Sequence, residues 1–200
     1  MKKKFVKMKQ KTKEKIKRIK KEIKEEIKED FLNIPNMITL VRVILAFFIV
    51  YMIFSNYSKL SIAIIFGIAA ASDWFDGYFA RKLKQTSSIG ARLDQVTDRL
   101  FTAIVAIALL IFFIKTNQGE ILFLFIITSR ELIGLPGFLI RIVRNKDPYK
   151  VKYIGKLTTF VQSITIALLI LEVSWIIYPV IITGLIGIVS GVDYLRESLN

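Results

Sequence analysis

The chain has 200 residues, 54% of them hydrophobic and 23% charged, with a mean hydropathy of +0.51 and a formal net charge of +14. That hydropathy excludes an ordinary soluble domain and fits a polytopic membrane protein. Cysteine and histidine are both absent, which excludes disulfides, thiolate chemistry and imidazole as base or metal ligand.

What remains for catalysis is carboxylates, Lys, Arg, Tyr and hydroxyls. Any metal would be a hard cation held by oxygen, such as magnesium, manganese or calcium.

Residues 1–32 form a basic segment, with 14 Lys/Arg against 6 Asp/Glu in the first thirty. Ile16, Ile19, Ile23 and Ile27 recur at spacings of three and four, which predicts a helix with one narrow apolar stripe. Lying on an anionic cytoplasmic leaflet suits such a helix, and a solvated basic rod fits the same pattern. The basic region is too long for a signal peptide, and no small-residue cleavage site follows the first apolar run. Phe5 is the single aromatic of the first thirty residues, which serves base stacking poorly and argues against nucleic acid as a partner.

From residue 33 to 200 the sequence reads as one all-α domain of six transmembrane helices. The apolar runs fall at 36–55, 60–82, 90–114, 120–144, 155–172 and 174–194, each near the roughly 20 residues a crossing needs. The connections Arg81–Lys84 and Arg141–Lys152 are basic, whereas those near Asn56–Lys59, Lys115–Glu120 and Glu172–Ser174 carry few positive charges. This alternation predicts both termini, and the ends of the spans near the basic connections, on the cytoplasmic side of the cell membrane. Gly184, Gly187 and Gly191 recur at helical spacing in the last run, which suits close packing either in a dimer seam or within the monomer.

One stretch is out of place among these runs. Ser72–Arg99 carries Asp73, Asp76, Gly77, Ala80, Arg81, Gly90, Asp94 and Asp98. A carboxylate at the centre of a membrane helix costs about 2.5–3.5 kcal/mol even on the mildest scale. Asp73, Asp76, Gly77 and Ala80 share one helical face, and Gly90, Asp94 and Asp98 share a face of the next helix. Small residues on those faces let a ligand or a second helix approach. Four acids so close repel one another unless protons or cations neutralise them. A site for one or two divalent ions meets that need, and so does a proton or sodium path through a transporter.

The pattern D-x-x-D-G-x-x-A-R-x8-G-x-x-x-D-x-x-x-D runs from Asp73 to Asp98 with all eight fixed positions filled. It resembles the signature of the CDP-alcohol phosphatidyltransferase family. Two further segments are similar to the phosphatidylglycerophosphate-forming branch of that family. One is Asn33-Ile34-Pro35-Asn36 with Thr39, Leu40 and Arg42. The other is Gly155-Lys156-Leu157-Thr158-Thr159 with Gln162, in which Thr158 stands where that branch has a second lysine. Ser129-Arg130-Glu131 also matches it.

The resemblance implies a membrane enzyme of phospholipid biosynthesis whose acids bind magnesium or manganese, with two ions expected. Asp73, Asp76, Asp94 and Asp98 would be the metal shell and Asp98 the general base. Asp73, Gly77, Ala80, Arg81 and Gly90 would hold the CDP-lipid. Arg130 and Lys156, with Arg42 and Arg141 in reserve, would hold the acceptor phosphate. For Arg42 and Arg141, snorkelling to the interface is the competing reading. The implied reaction moves a phosphatidyl group from CDP-diacylglycerol to glycerol 3-phosphate and releases CMP. Another acceptor, such as inositol phosphate, or an ether-lipid donor would use the same chemistry.

Overall fold

The structure, a computed structural model, describes residues 34–82, 88–144 and 153–199. The charged segment expected at 1–32 lies outside them. Among the described residues the chain is all helical: α1 Ile34–Phe54, α2 Lys59–Lys82, α3 Ser88–Thr116, α4 Ile121–Ile127, α5 Ser129–Val143, α6 Tyr153–Ile170 and α7 Ile177–Leu199.

Four stretches are long and apolar enough to cross a membrane: Met37–Phe54 in α1, Val96–Thr116 in α3, Tyr153–Ile170 in α6 and Ile177–Leu199 in α7. The pair α4–α5 makes a fifth if it is one broken crossing. The protein is therefore an all-α, polytopic membrane protein with four to five candidate crossings among the described residues, where the sequence predicts six. The apolar part of α2, Lys59–Ser72, is shorter than a crossing. Asp73 follows it directly, and the second half of the helix carries Asp76, Arg81 and Lys82 as well.

The expected span at 120–144 is not one straight helix. It bends by 49° between Ile127 and Ser129. Thr128 sits at the break, buried, and both its amide (3.0 Å) and its hydroxyl (2.8 Å) donate to the Leu124 carbonyl. A threonine hydroxyl bonded back to the preceding turn opens the helix there. The bend starts α5 at Ser129 and so sets the direction in which Arg130 and Glu131 leave the backbone.

The helices share one core. Ala46, Ile49, Phe66, Val105, Ile127, Ile166 and Val180 lie within it, drawn from α1, α2, α3, α4, α6 and α7. Outward positions are equally apolar: Ile44, Phe47, Leu122, Phe160 and Leu185 are all exposed. Helices apolar on both sides fit a hydrocarbon surround rather than water.

At one end of the bundle three connections are pinned together. Asn56, Asn117 and Glu172 follow α1, α3 and α6 with φ of 56°, 55° and 53°. After each, an amide reaches back to close the helix: Tyr57 to the Met52 carbonyl, Gln118 to Phe113 and Val173 to Leu168. Asparagine tolerates this left-handed conformation, but glutamate does so less readily. Glu172 is held there by an ion pair with Lys59 and a 3.4 Å hydrogen bond from Gln118. The signature residues lie at the opposite ends of α2 and α3.

The glycine stripe of α7 is spent inside the monomer. A Cβ on Gly184 would come within 2.4 Å of Ile126 Cγ2, one on Gly187 within 2.8 Å of Ser129 Oγ, and one on Gly191 within 3.0 Å of Ile133 Cβ and 3.1 Å of the Arg130 carbonyl. The missing side chains let α7 lie directly on α4 and α5. A Gly191→Val variant should lose about 1–3 kcal/mol through overpacking, whereas Gly67→Ala, which meets nothing within 4 Å, should melt no lower than the parent. Thermal unfolding of the detergent-solubilised protein checks both.

Candidate active site

The backbone is helical across both halves of the signature. Asp73, Asp76, Gly77, Ala80 and Arg81 lie in the second half of α2, and Gly90, Asp94 and Asp98 lie in the first half of α3. The side chains of 73–82 and 88–95 fall outside the described residues. Of the four acids, Asp98 is the one whose surroundings are described.

Asp98 is half-buried and lines a slot between helices. Arg42 from α1, Thr102 from α3, and Thr159, Gln162 and Ser163 from α6 make up the rest of its polar wall. Phe66, Ala70, Phe101 and Ile166 close it on the apolar side. The rings of Phe66 and Phe101 stack with centroids 5.5 Å apart, which brings α2 and α3 together next to the acids.

Arg42 is 1% exposed, so its guanidinium does not snorkel to an interface. Its Nε donates to Ser72 Oγ at 3.3 Å, and Ser72 in turn donates to the Ala69 carbonyl at 2.7 Å. A cation on α1 is thus tied to the residue that precedes Asp73, at a place where an unpaired charge would be costly.

Two neighbouring residues of α5 clasp α6. Arg130 donates through a terminal nitrogen to Thr159 Oγ1 at 2.5 Å, and its guanidinium lies 5.3 Å from the centre of the Tyr194 ring of α7. Glu131 accepts a 2.7 Å hydrogen bond from Gln162 Nε2. Both α6 partners line the slot, so the clasp ties Arg130 and Glu131 to the wall around Asp98. Close approach of α7 completes the arrangement: a Cβ on Gly155 would meet Tyr194 Oη at 2.5 Å.

Lys156 is exposed on α6, one turn before Thr159. Thr158, at the position where a second lysine was expected, is buried and donates to the Ile154 carbonyl at 2.7 Å. Arg141 is placed elsewhere. It donates to the Glu197 carbonyl at 3.4 Å and pairs with the Glu197 carboxylate at 3.7 Å, at the C-terminal end of α7. There a cation complements the helix dipole.

The Glu131–Gln162 pair and the role of Tyr194 were not read as parts of a site from the sequence. The segments holding Glu131 and Gln162 are visible as motifs, but their meeting across two helices leaves no trace in local spacing.

The described donors are a carboxylate, three hydroxyls and an amide oxygen. All are hard ligands suited to magnesium or manganese. Among the described residues no group of three metal-ligating side chains occurs; Asp73, Asp76 and Asp94 would have to complete one.

Comparison with known proteins places the chain in a family. The family model for CDP-alcohol phosphatidyltransferase matches residues 32–190. A CDP-diacylglycerol–glycerol-3-phosphate 3-phosphatidyltransferase of Wigglesworthia glossinidia brevipalpis is 38% identical over 160 residues, covering 78% of this chain and 85% of that protein. Proteins of the same name from Rickettsia typhi and Aquifex aeolicus are 34% and 33% identical. They cover 82% and 80% of this chain, and 96% and 88% of their own lengths. With its signature intact from Asp73 to Asp98 and the match spanning nearly the whole helical bundle, this chain belongs to the CDP-alcohol phosphatidyltransferase family.

Proposed function

We propose that the chain transfers the phosphatidyl group of CDP-diacylglycerol to glycerol 3-phosphate, giving phosphatidylglycerophosphate and CMP. One observation carries the reading: Asp98, the last acid of the signature, lines a slot whose other walls are tied to Arg42, Arg130 and Glu131. The near full-length match to relatives named for this reaction supports the acceptor.

Asp98 takes the proton of the acceptor hydroxyl. The freed oxygen forms a bond to the phosphorus nearest the diacylglycerol, the bond from that phosphorus to the CMP oxygen breaks, and CMP leaves. A carboxylate placed against the reacting hydroxyl serves as base where histidine is lacking. The stacked Phe66 and Phe101 supply a register for the acids. Seven residues on from Phe66 is Asp73, and seven back from Phe101 is Asp94, so antiparallel helices bring these two to one level. Asp73, Asp76, Asp94 and Asp98 would hold magnesium or manganese, which when bound neutralises charge on the pyrophosphate. Asp73, Gly77, Ala80, Arg81 and Gly90 bind the CDP-lipid, with Arg81 forking onto a phosphate. Arg130 and Lys156 attract the acceptor phosphate, and Arg42 lends positive charge from the α1 side.

The topology follows from the same reading. The second half of α2 and the first half of α3 carry the charged signature, so on this reading α2 completes a sixth crossing with its polar half at the cytoplasmic surface. Both termini are cytoplasmic by the distribution of Lys and Arg. A homodimer would need a surface other than the glycine stripe, which faces α4 and α5.

An acceptor screen tests the function. Purified protein with magnesium and CDP-diacylglycerol should release CMP with glycerol 3-phosphate and not with inositol phosphate, serine or phosphatidylglycerol. Excess chelator should stop the release. CMP release with another acceptor alone would reassign the substrate, and full activity in chelator would remove the metal. Lys156→Ala should raise the KM for glycerol 3-phosphate about tenfold while that for CDP-diacylglycerol changes little; equal effects on both would move the acceptor phosphate away from α6.

A further inference from the structure

Gln162 is only 3% exposed, yet its side chain reaches the slot beside Asp98. Its Nε2 donates to Glu131 at 2.7 Å. That bond fixes which end of the amide faces Glu131. The carbonyl oxygen Oε1 is the end left over, and among the described residues Gln162 makes no other side-chain hydrogen bond.

The slot is matched to a small donor. It holds about 20 Å³, room for roughly one water. A phosphate is too large for it. The hydroxyls of Ser163 and Thr102 donate to the Thr159 and Asp98 carbonyls, at 2.9 and 3.2 Å. The Arg42 Nε is directed to Ser72. Beside the Arg42 guanidinium, the slot offers an incoming group the acceptor oxygens of Asp98 and Gln162, and an alcohol hydroxyl is a water-sized group that donates to them.

We infer that Gln162 receives the non-reacting hydroxyl of the acceptor, and that Glu131 is the positioning residue that turns the Gln162 carbonyl toward it. The pair makes the enzyme select a polyol phosphate over an acceptor with a single hydroxyl. The inference deepens the proposed reaction and rests on glycerol 3-phosphate being the acceptor.

The test compares glycerol 3-phosphate with 3-hydroxypropyl phosphate, which keeps the reacting hydroxyl and the phosphate and lacks the middle hydroxyl. CMP release is measured in mixed micelles with CDP-diacylglycerol. The parent enzyme should favour glycerol 3-phosphate in kcat/KM by about tenfold or more. In Gln162→Met the ratio should fall toward one, with the loss on glycerol 3-phosphate and the KM for CDP-diacylglycerol unchanged. Glu131→Gln keeps the volume but can donate as well as accept, so Gln162 loses its fixed orientation. The ratio should fall partway, through KM more than kcat. This second variant carries the test if Gln162→Met does not fold. A parent enzyme inactive on both acceptors overturns the acceptor reading and this inference with it. A parent active on glycerol 3-phosphate whose preference survives in the folded variants overturns the inference alone.

Discussion

Everything around Asp98 depends on how charged groups are kept inside an apolar bundle. A lone ion there is costly, so each cation or acid persists only with partners within hydrogen-bond reach. Arg130 and Glu131, adjacent on α5, meet Thr159 and Gln162, three residues apart on α6. Three residues is close to one helical turn, so the two α6 partners lie on one face and can be gripped from one short segment. The grip settles the position of α6, and α6 supplies three of the five polar residues beside Asp98. Removing either partner leaves the other buried without its bond, which is costlier than never having buried the pair.

The rest of the fold serves that placement. The Thr128 break turns α5 out of line with α4, and the α7 glycines let both pack without a side chain between. At the far end, Glu172 is tied to Lys59 and Gln118, which fixes the ends of α6, α2 and α3 relative to one another. The chemical end is then free to be polar while the opposite end holds the register. The Phe66–Phe101 stack sits between the two and joins the signature helices.

Much of this was legible in the sequence, for a physical reason. Helical periodicity and the length of apolar runs are local, so α1, α3, α6 and α7 appear close to where the hydropathy places them. The helical spacing of the signature is local too, and its eight positions identify the family unaided. What needs two segments at once was not legible. The break at Thr128 depends on one hydroxyl turning back on its own helix. The choice between dimer seam and internal packing for Gly184, Gly187 and Gly191 depends on Ile126, Ser129 and Ile133 being opposite them. Arg42 and Arg141 look alike as interfacial cations, yet one is buried against Ser72 and the other caps α7 at Glu197. Glu131 and Gln162 were both part of recognisable segments, and only the fold pairs them.

At the centre stands the proposal that Asp98 is the base, at a site whose direct contacts to the CDP-lipid come from Asp73, Gly77, Ala80, Arg81 and Gly90. Asp98→Asn keeps the size of the side chain and removes its ability to take a proton. The most direct measurement is a single-turnover assay of the Asp98→Asn enzyme, in which bound CDP-diacylglycerol and released CMP are followed together. The expected result is CDP-lipid bound at near-parental affinity with CMP release reduced by a factor of about a hundred or more. CMP release at the parental rate would contradict the assignment and move the base to another residue of the slot.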